Sequence, residues 1–240
     1  LTVLYQPRTI NLTTETDVLK GVKTLAIIAP TDSIKPEEFS QLDAFLANGG
    51  NIYVAMNRVN GKLQEQQGEP LTTGLETWLA NKKIMVEDNF VIDAKCASVG
   101  VQQQQGAFSF TSQIQFPYIP IIVNFANHSI TKGLEQVVTQ FVSTLTYVGD
   151  STVKFTPLMT TSENSGTLSS PLYFDIQKNW TKQDFPLAKL PVGGLFEGKI
   201  AGSVPSKMVV IADGDFAING KGQQSRQINT DNVNLMVTSI

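Results

Sequence analysis

The stretch TLAIIAPTDSIKPEEFSQLDAFLANGGNIYVAM, from Thr24 to Met56, decides the fold class. Its first six residues are apolar and β-prone and run into Pro30, Thr31, Asp32 and Ser33, so they read as a buried strand ending in a turn. Pro36 suits the first position of a helix, and Glu37 and Glu38 sit where the positive end of the helix dipole favours acids. Phe39, Leu42, Phe45 and Leu46 recur at spacings of three and four, the period of one helix face. Gly49 and Gly50 end the helix, and Asn51 to Met56 is apolar again. The unit is therefore β-α-β, and its two strands are expected to run parallel through a right-handed crossover.

Outward from this unit the pattern continues. Asn57 to Pro70, rich in Asn, Gly and Gln, reads as a loop, Leu71 to Lys82 as a helix carrying Leu75, Trp78 and Leu79, and Phe90 to Ala94 as a third strand. Val99 to Ser112 contains a four-Gln run, and Gln115 to Phe125 is extended and punctuated by Pro117 and Pro120, which predicts an insertion beyond the sheet edge. Gln136 to Leu145 and Lys154 to Thr160 alternate like strands with one wet face, while Ser162 to Ser170 is a loop by composition. Leu190 to Ile200 and Lys207 to Ala212 are further strands, the second closed by Asp213, Gly214 and Asp215. Asp231 to Ile240 reads as a helix with Asp231 as its cap and Val233, Leu235, Met236 and Ile240 on its apolar side. The expectation is one α/β domain over 1–240, a mostly parallel sheet with helices on both faces and irregular insertions at roughly 97–127 and 161–184.

Composition removes several function classes. Eighteen Lys and Arg against 21 Asp and Glu give a net charge of −3 with no basic block, which argues against nucleic acid as a partner. Cys96 is the one cysteine and His128 the one histidine, so neither an internal disulfide nor a clustered zinc site can form. Charged residues are 16% of the chain, against about 25% in a typical domain, and Gln, Asn, Ser and Thr replace them. No stretch reaches the roughly 18 apolar residues of a membrane span, and LTVLYQPRTI lacks the basic flank and apolar run of a signal peptide, so the chain as it stands reads as soluble.

In open α/β sheets ligands bind beyond the carboxyl ends of strands, and there this sequence places Thr31, Asp32, Asn57, Arg58, Asp213 and Asp215. These six define a candidate polar crevice. Two close carboxylates could do acid/base work or hold a hard cation, but Asp-Gly-Asp after a strand is more often turn and cap chemistry. A Cys96 nucleophile would have only His128 as its base, and no helix follows Ala94-Lys95-Cys96-Ala97-Ser98 to form an elbow. Gly49-Gly50 and Gly193-Gly194 lack the spacing of phosphate loops. Tyr53, Phe108, Phe110, Phe116, Tyr118 and Trp180 could line a glycan or protein groove, although core packing is the commoner fate of such rings. The expectation is a non-enzymatic chain with no cofactor and no metal.

Three segments taken together resemble a known family: TLAIIAPTDSIKPEEFSQLDAFLANGGNIYVAMN, then HSITKGL with KFTPLMTTS, and finally MVVIADGDFAIN followed by NTDNVNLMVTSI. They are similar to the gliding-motility GldG-like proteins and the wider family of auxiliary components of ABC transporters. The resemblance covers roughly residues 20 to 240, and this chain has Asn57-Arg58 where many relatives carry Asp-Pro. It implies a three-layer, flavodoxin-like fold related to class I glutamine amidotransferases. It also implies a periplasmic or other extracytoplasmic domain, excised from a protein anchored in the cytoplasmic membrane by helices flanking the present chain. The partners it implies are the permease and ATPase subunits of the transporter, with action through protein contacts. The alternative is a carbohydrate or small-ligand module using the strand-end crevice.

Overall fold

The computed structural model describes residues 5–12, 18–105, 108–219 and 228–240, with the backbone alone at 103–105 and 108–110. In chain order the elements are β1 (Thr24–Ile28), α1 (Pro36–Ala47), β2 (Asn51–Ala55), β3 (Val59–Lys62), β4 (Gln67–Pro70), α2 (Leu75–Asn81), β5 (Ile84–Val86), β6 (Asn89–Asp93), β7 (Cys96–Gln105) and β8 (Phe108–Ile122). There follow β9 (Asn124–Phe125), β10 (Val137–Val138), β11 (Leu145–Tyr147), β12 (Val153–Thr160), β13 (Ser165–Ser169), β14 (Leu172–Tyr173), a 3-10 turn over Lys182–Asp184, β15 (Pro191–Gly198), β16 (Ser206–Ile211) and α3 (Thr230–Ser239).

The central sheet has six strands in the order β1-β2-β16-β15-β12-β9. The β-α-β unit forms as its sequence predicts, with β1 parallel to β2 and Ile28 opposite Ala55. β16 joins β2 in parallel, Val210 opposite Val54. Beyond that the direction reverses: β15 runs antiparallel to β16, β12 to β15, and β9 to β12. Four further sheets of two or three strands surround this one, and their ladders are antiparallel.

The expected mostly parallel, three-layer, flavodoxin-like fold is therefore incorrect. The chain is β-rich, with several small mixed and antiparallel sheets, and among the described residues its α-helices are α1, α2 and α3. The physical reason is visible at two places. A strand buried on both faces is a continuous apolar run whichever way its neighbour points, so LPVGGLFEG carried no sign of its direction. The third strand of the expected sheet, β6, pairs antiparallel with β13 from Asn89↔Ser169 to Asp93↔Ser165 instead of joining β2. The same pairing makes Ser165–Ser169 a strand, not a loop. Residues 59–70, also expected as a loop, form the β3–β4 hairpin, with Gly61 opposite Gly68. The Gln136 to Leu145 strand reduces to Val137–Val138, with Leu145 opening β11.

The main core lies on both sides of β2 and β16, where Ile52, Tyr53, Val54, Met208 and Val210 are almost fully excluded from solvent. α1 covers one side with Leu42, Phe45 and Leu46, and α3 adds Leu235. A side chain of this kind contributes about 1.5–3 kcal/mol when fully buried. Gly193 and Gly194 lie inside β15, where their lack of side chains has a packing use: a Cβ on Gly193 would stand 2.8 Å from Ile211 Cδ1 and 2.9 Å from Met159 Cε. A second cluster, built on Phe90, Phe116, Tyr118 and Phe174, packs beneath the β7–β8 hairpin. Its rings meet edge to face, Phe90 to Phe174 at 5.6 Å and Tyr118 to Phe174 at 4.8 Å between centroids.

Candidate functional site

The carboxyl ends of β1, β2 and β16 converge, and Asn57 after β2 binds the Asp213-Gly214-Asp215 turn after β16. Asn57, after β2, accepts the Gly214 backbone N–H at Oδ1 over 2.7 Å and donates from Nδ2 to Asp215 Oδ2 over 2.7 Å. Asp213, fully buried, accepts the Asp215 N–H at Oδ1 over 2.8 Å and the Gln140 N–H at Oδ2 over 2.7 Å. The Asp-Gly-Asp turn thus closes on itself and on two neighbouring segments. Ala29 completes the junction in left-handed backbone geometry, φ 45°, donating its N–H to Ala55 O over 2.8 Å. Its Cα would lie 2.9 Å from a Cβ on Gly214, so only glycine allows the β1 and β16 ends to approach this closely.

The six expected crevice residues do not all meet. Asn57, Asp213 and Asp215 form one hydrogen-bonded group. Arg58, next in the chain, turns elsewhere: it donates to Leu71 O at 2.8 Å and pairs with Asp88 at 3.4 Å. Thr31 and Asp32 stand exposed in the segment leading to α1.

Sequence reading missed the partners on the far side of the group. Gln140 contributes only its backbone N–H, which no side-chain pattern reveals. Asn232 lies buried on α3 and ties β10 to the segment after β16: it accepts the Val138 N–H at 2.9 Å and donates to Val138 O at 2.7 Å and Phe216 O at 2.6 Å. The cap of α3 is Asn229, which accepts the Asp231 N–H, rather than Asp231. Asp231 instead accepts the Glu135 and Gln136 N–H groups at 2.8 and 3.0 Å, which hold its carboxyl below the usual range, Gln136 contributing most. The signal available was Asn232 three residues before Leu235, one face of one helix. Val233, expected to face inward, is 41% exposed.

A cavity of about 560 Å³ adjoins this region, lined among others by Val138, Gln140, Phe216, Asn229 and Asn232. Cys96 lines a different one of about 430 Å³, together with Trp180, Phe185, Gln115 and Asn164. Burial pushes the Cys96 thiol up, away from the thiolate a nucleophile needs. His128 lines a third cavity, near Thr24 and Asn51 at the opposite ends of β1 and β2, and its Nδ1 accepts the Ile130 N–H at 3.2 Å. The structure does not assemble Cys96 and His128 into a pair. Tyr53, Phe116 and Tyr118 are core residues, while Trp180 rims the Cys96 cavity under the Lys178 ammonium, 4.1 Å from its ring centre. The side chains of Phe108 and Phe110 lie outside the described residues. Among the described residues no group of three or more His, Cys, Asp or Glu could hold a metal ion.

Fold and crevice define a β-rich, mixed-sheet chain in which Asn57, Asp213 and Asp215 hold the strand ends together. Residues 1–239 match the family described as ABC-type uncharacterized transport system, and the chain belongs to that family of ABC transport auxiliary components. No curated protein sequence matches it. Among solved structures it is similar to the N-terminal domain of mmIFT52, with 18% identity, a TM-score of 0.54, and coverage of 91% of this chain and 76% of that one. A thua-like protein from Bacteroides uniformis aligns over 92% of this chain and 69% of that one, at 14% identity and a TM-score of 0.42. The first likeness concerns the fold alone. The family associates the chain with a membrane transport system, and among the described residues no helix is long and apolar enough to cross a membrane.

Proposed function

We propose that this chain is the extracytoplasmic, non-catalytic domain of a membrane-anchored ABC transporter subunit, of the gliding-motility or related transport type, acting by contact with the permease and ATPase. Family membership across residues 1–239 carries this reading. The internal engagement of Asn57, Asp213 and Asp215 supports it, because those groups serve the fold in the place where a catalytic or ligand site would be sought. The test is purification of the protein, tagged at its native locus, from membranes in mild detergent, with mass spectrometry of what remains bound. Stoichiometric recovery of an ATPase and a permease is the expected result. Recovery of the protein alone, where other membrane complexes survive, overturns it.

One observation favours a second reading, a small polar ligand beside the crevice: the 560 Å³ cavity with Gln140, Asn229 and Asn232 on its wall. A sugar bound there would raise the thermal unfolding midpoint in a concentration-dependent way. A midpoint that does not move across a panel of mono- and oligosaccharides removes the glycan reading.

A further inference from the structure

Among the described residues, the longest strand that ends a sheet belongs to neither the main sheet nor the crevice. β7 is the outer strand of the three-stranded sheet β10-β8-β7 and runs ten residues, Cys96–Gln105. Among the described residues the other terminal strands of the sheets run two to five residues, and β8, whose far side β10 pairs at Ile121 and Ile122, carries Pro117 and Pro120 within it. Proteins normally protect a long edge with lysines, prolines or inward charges, because unpaired N–H and C=O groups template another strand. β7 has none of these, and from Cys96 to Thr131 the chain contains no Asp, Glu, Lys or Arg. Its break in register lies at the Cys96 end, between Cys96 and Ser98, and leaves the rest of the strand regular. Ten residues in this conformation present an edge about 33 Å long.

The two faces of the hairpin differ. Val99 lies opposite Ile114 and Val101 opposite Ser112, and all four are half-buried. Ser98, Gly100 and Gln102 lie opposite Gln115, Gln113 and Thr111, and all six are exposed. We propose that β7 is an assembly edge, at which a second copy of this chain adds its own β7 antiparallel across a two-fold axis at Gly100. That register keeps like faces together. It sets Val99 of one copy opposite Val101 of the other, twice, on the apolar face, and Ser98 opposite Gln102, twice, on the polar face. The two hairpins become one four-stranded sheet. The occupant is a second copy because an uncharged edge neither repels its own image nor carries the charge that would select a differently charged partner.

The inference stands apart from the transporter reading and is tested on the chain by itself. Sedimentation equilibrium across a micromolar to sub-millimolar series is run on the wild type, on Ser98→Lys/Gln102→Lys and on Ser98→Glu/Gln102→Glu. Both positions are exposed, so folding should be preserved, and circular dichroism checks this. In the proposed register each new lysine faces a lysine of the other copy. The wild type should dimerise, each variant should dimerise at least about tenfold more weakly, and an equimolar mixture of the two should recover a one-to-one dimer. A wild type that stays monomeric throughout, a dimer unaffected by the lysines, or folded variants that fail to recover on mixing overturns the proposal.

Discussion

The side chain of Asn57 joins the end of β2 to Asp215, 158 residues further along the chain, by a 2.7 Å bond from Nδ2 to Oδ2, while its own Oδ1 receives the Gly214 N–H. Neither a carboxylate nor a methyl at this position can do both. Asn57→Asp places a second carboxylate where Asp215 receives a donor, so it is expected to lower stability by about 2–3 kcal/mol. Asn57→Ala should cost less, about 1–2 kcal/mol, because it removes the donor to Asp215 and the acceptor for Gly214 without adding charge. Urea unfolding at neutral pH measures both, and a ranking with Ala as the more damaging change would contradict the role given to Asp215.

Gly214 makes a separate prediction, because its constraint is steric. A Cβ there meets Ala29 Cα at 2.9 Å and Ala29 Cβ at 3.1 Å, and the first of these is backbone that a rotamer change cannot move. Gly214→Ala should therefore destabilise by about 1–3 kcal/mol. Adding Ala29→Gly removes the Cβ contact and leaves the Cα one, so, beyond what Ala29→Gly gains by itself at φ 45°, the double variant should recover part of the loss and not all of it. Thermal unfolding of the two single variants and the double variant closes the cycle.

What the sequence made legible follows from how local each signal is. The unit from Thr24 to Met56 was readable because Pro36, the three-and-four spacing through Leu46 and the Gly49-Gly50 stop all act within one helix. Strand direction in β15 and the partner of β6 were not, because they are fixed by residues far away in sequence. Gly68 illustrates this: a Cβ there would run into the Phe90 and Phe174 rings, so the Asn, Gly and Gln of 57–70 form a hairpin against an aromatic cluster that no local pattern announces. The site divides likewise. Asp213 and Asp215 were found as strand-end carboxylates, yet Gln140 acts through its backbone and Arg58 turns to Leu71 and Asp88.

Tyr53 carries a cost that a single atom deletion should relieve. Its ring is buried in the centre of the main sheet, and its hydroxyl, like that of Ser206, has no hydrogen-bond partner among the described residues. Burial, and after it the negative charge of Asp213, push the phenol's pKa upward, which favours the neutral hydroxyl. Tyr53→Phe keeps the ring packing and removes the orphaned group. It should raise stability by about 1 kcal/mol, read as a higher urea midpoint at unchanged slope. A loss of stability would mean that the hydroxyl has a bonded neighbour, such as a buried water.

Acid should loosen the attachment of α3 through Asp231. Its carboxylate accepts the Gln136 and Glu135 N–H groups, and the first of these contributes most to lowering its pKa. A group held below its unfolded value, about 3.9 for aspartate, stabilises the fold fully above that value and loses its contribution as the pH falls through the folded one. Asp184, held down to about 2 chiefly by Lys178, and Glu197, lowered mainly by Lys207, tilt the whole protein in the same direction. The Asp231 share is therefore isolated by comparing wild type with Asp231→Asn. The stability gap between them should be widest above about pH 5 and close progressively below about pH 4, as the wild-type carboxyl takes up its proton. A gap that stays constant across this range would assign the Asp231 contribution to geometry alone, with no part played by its charge.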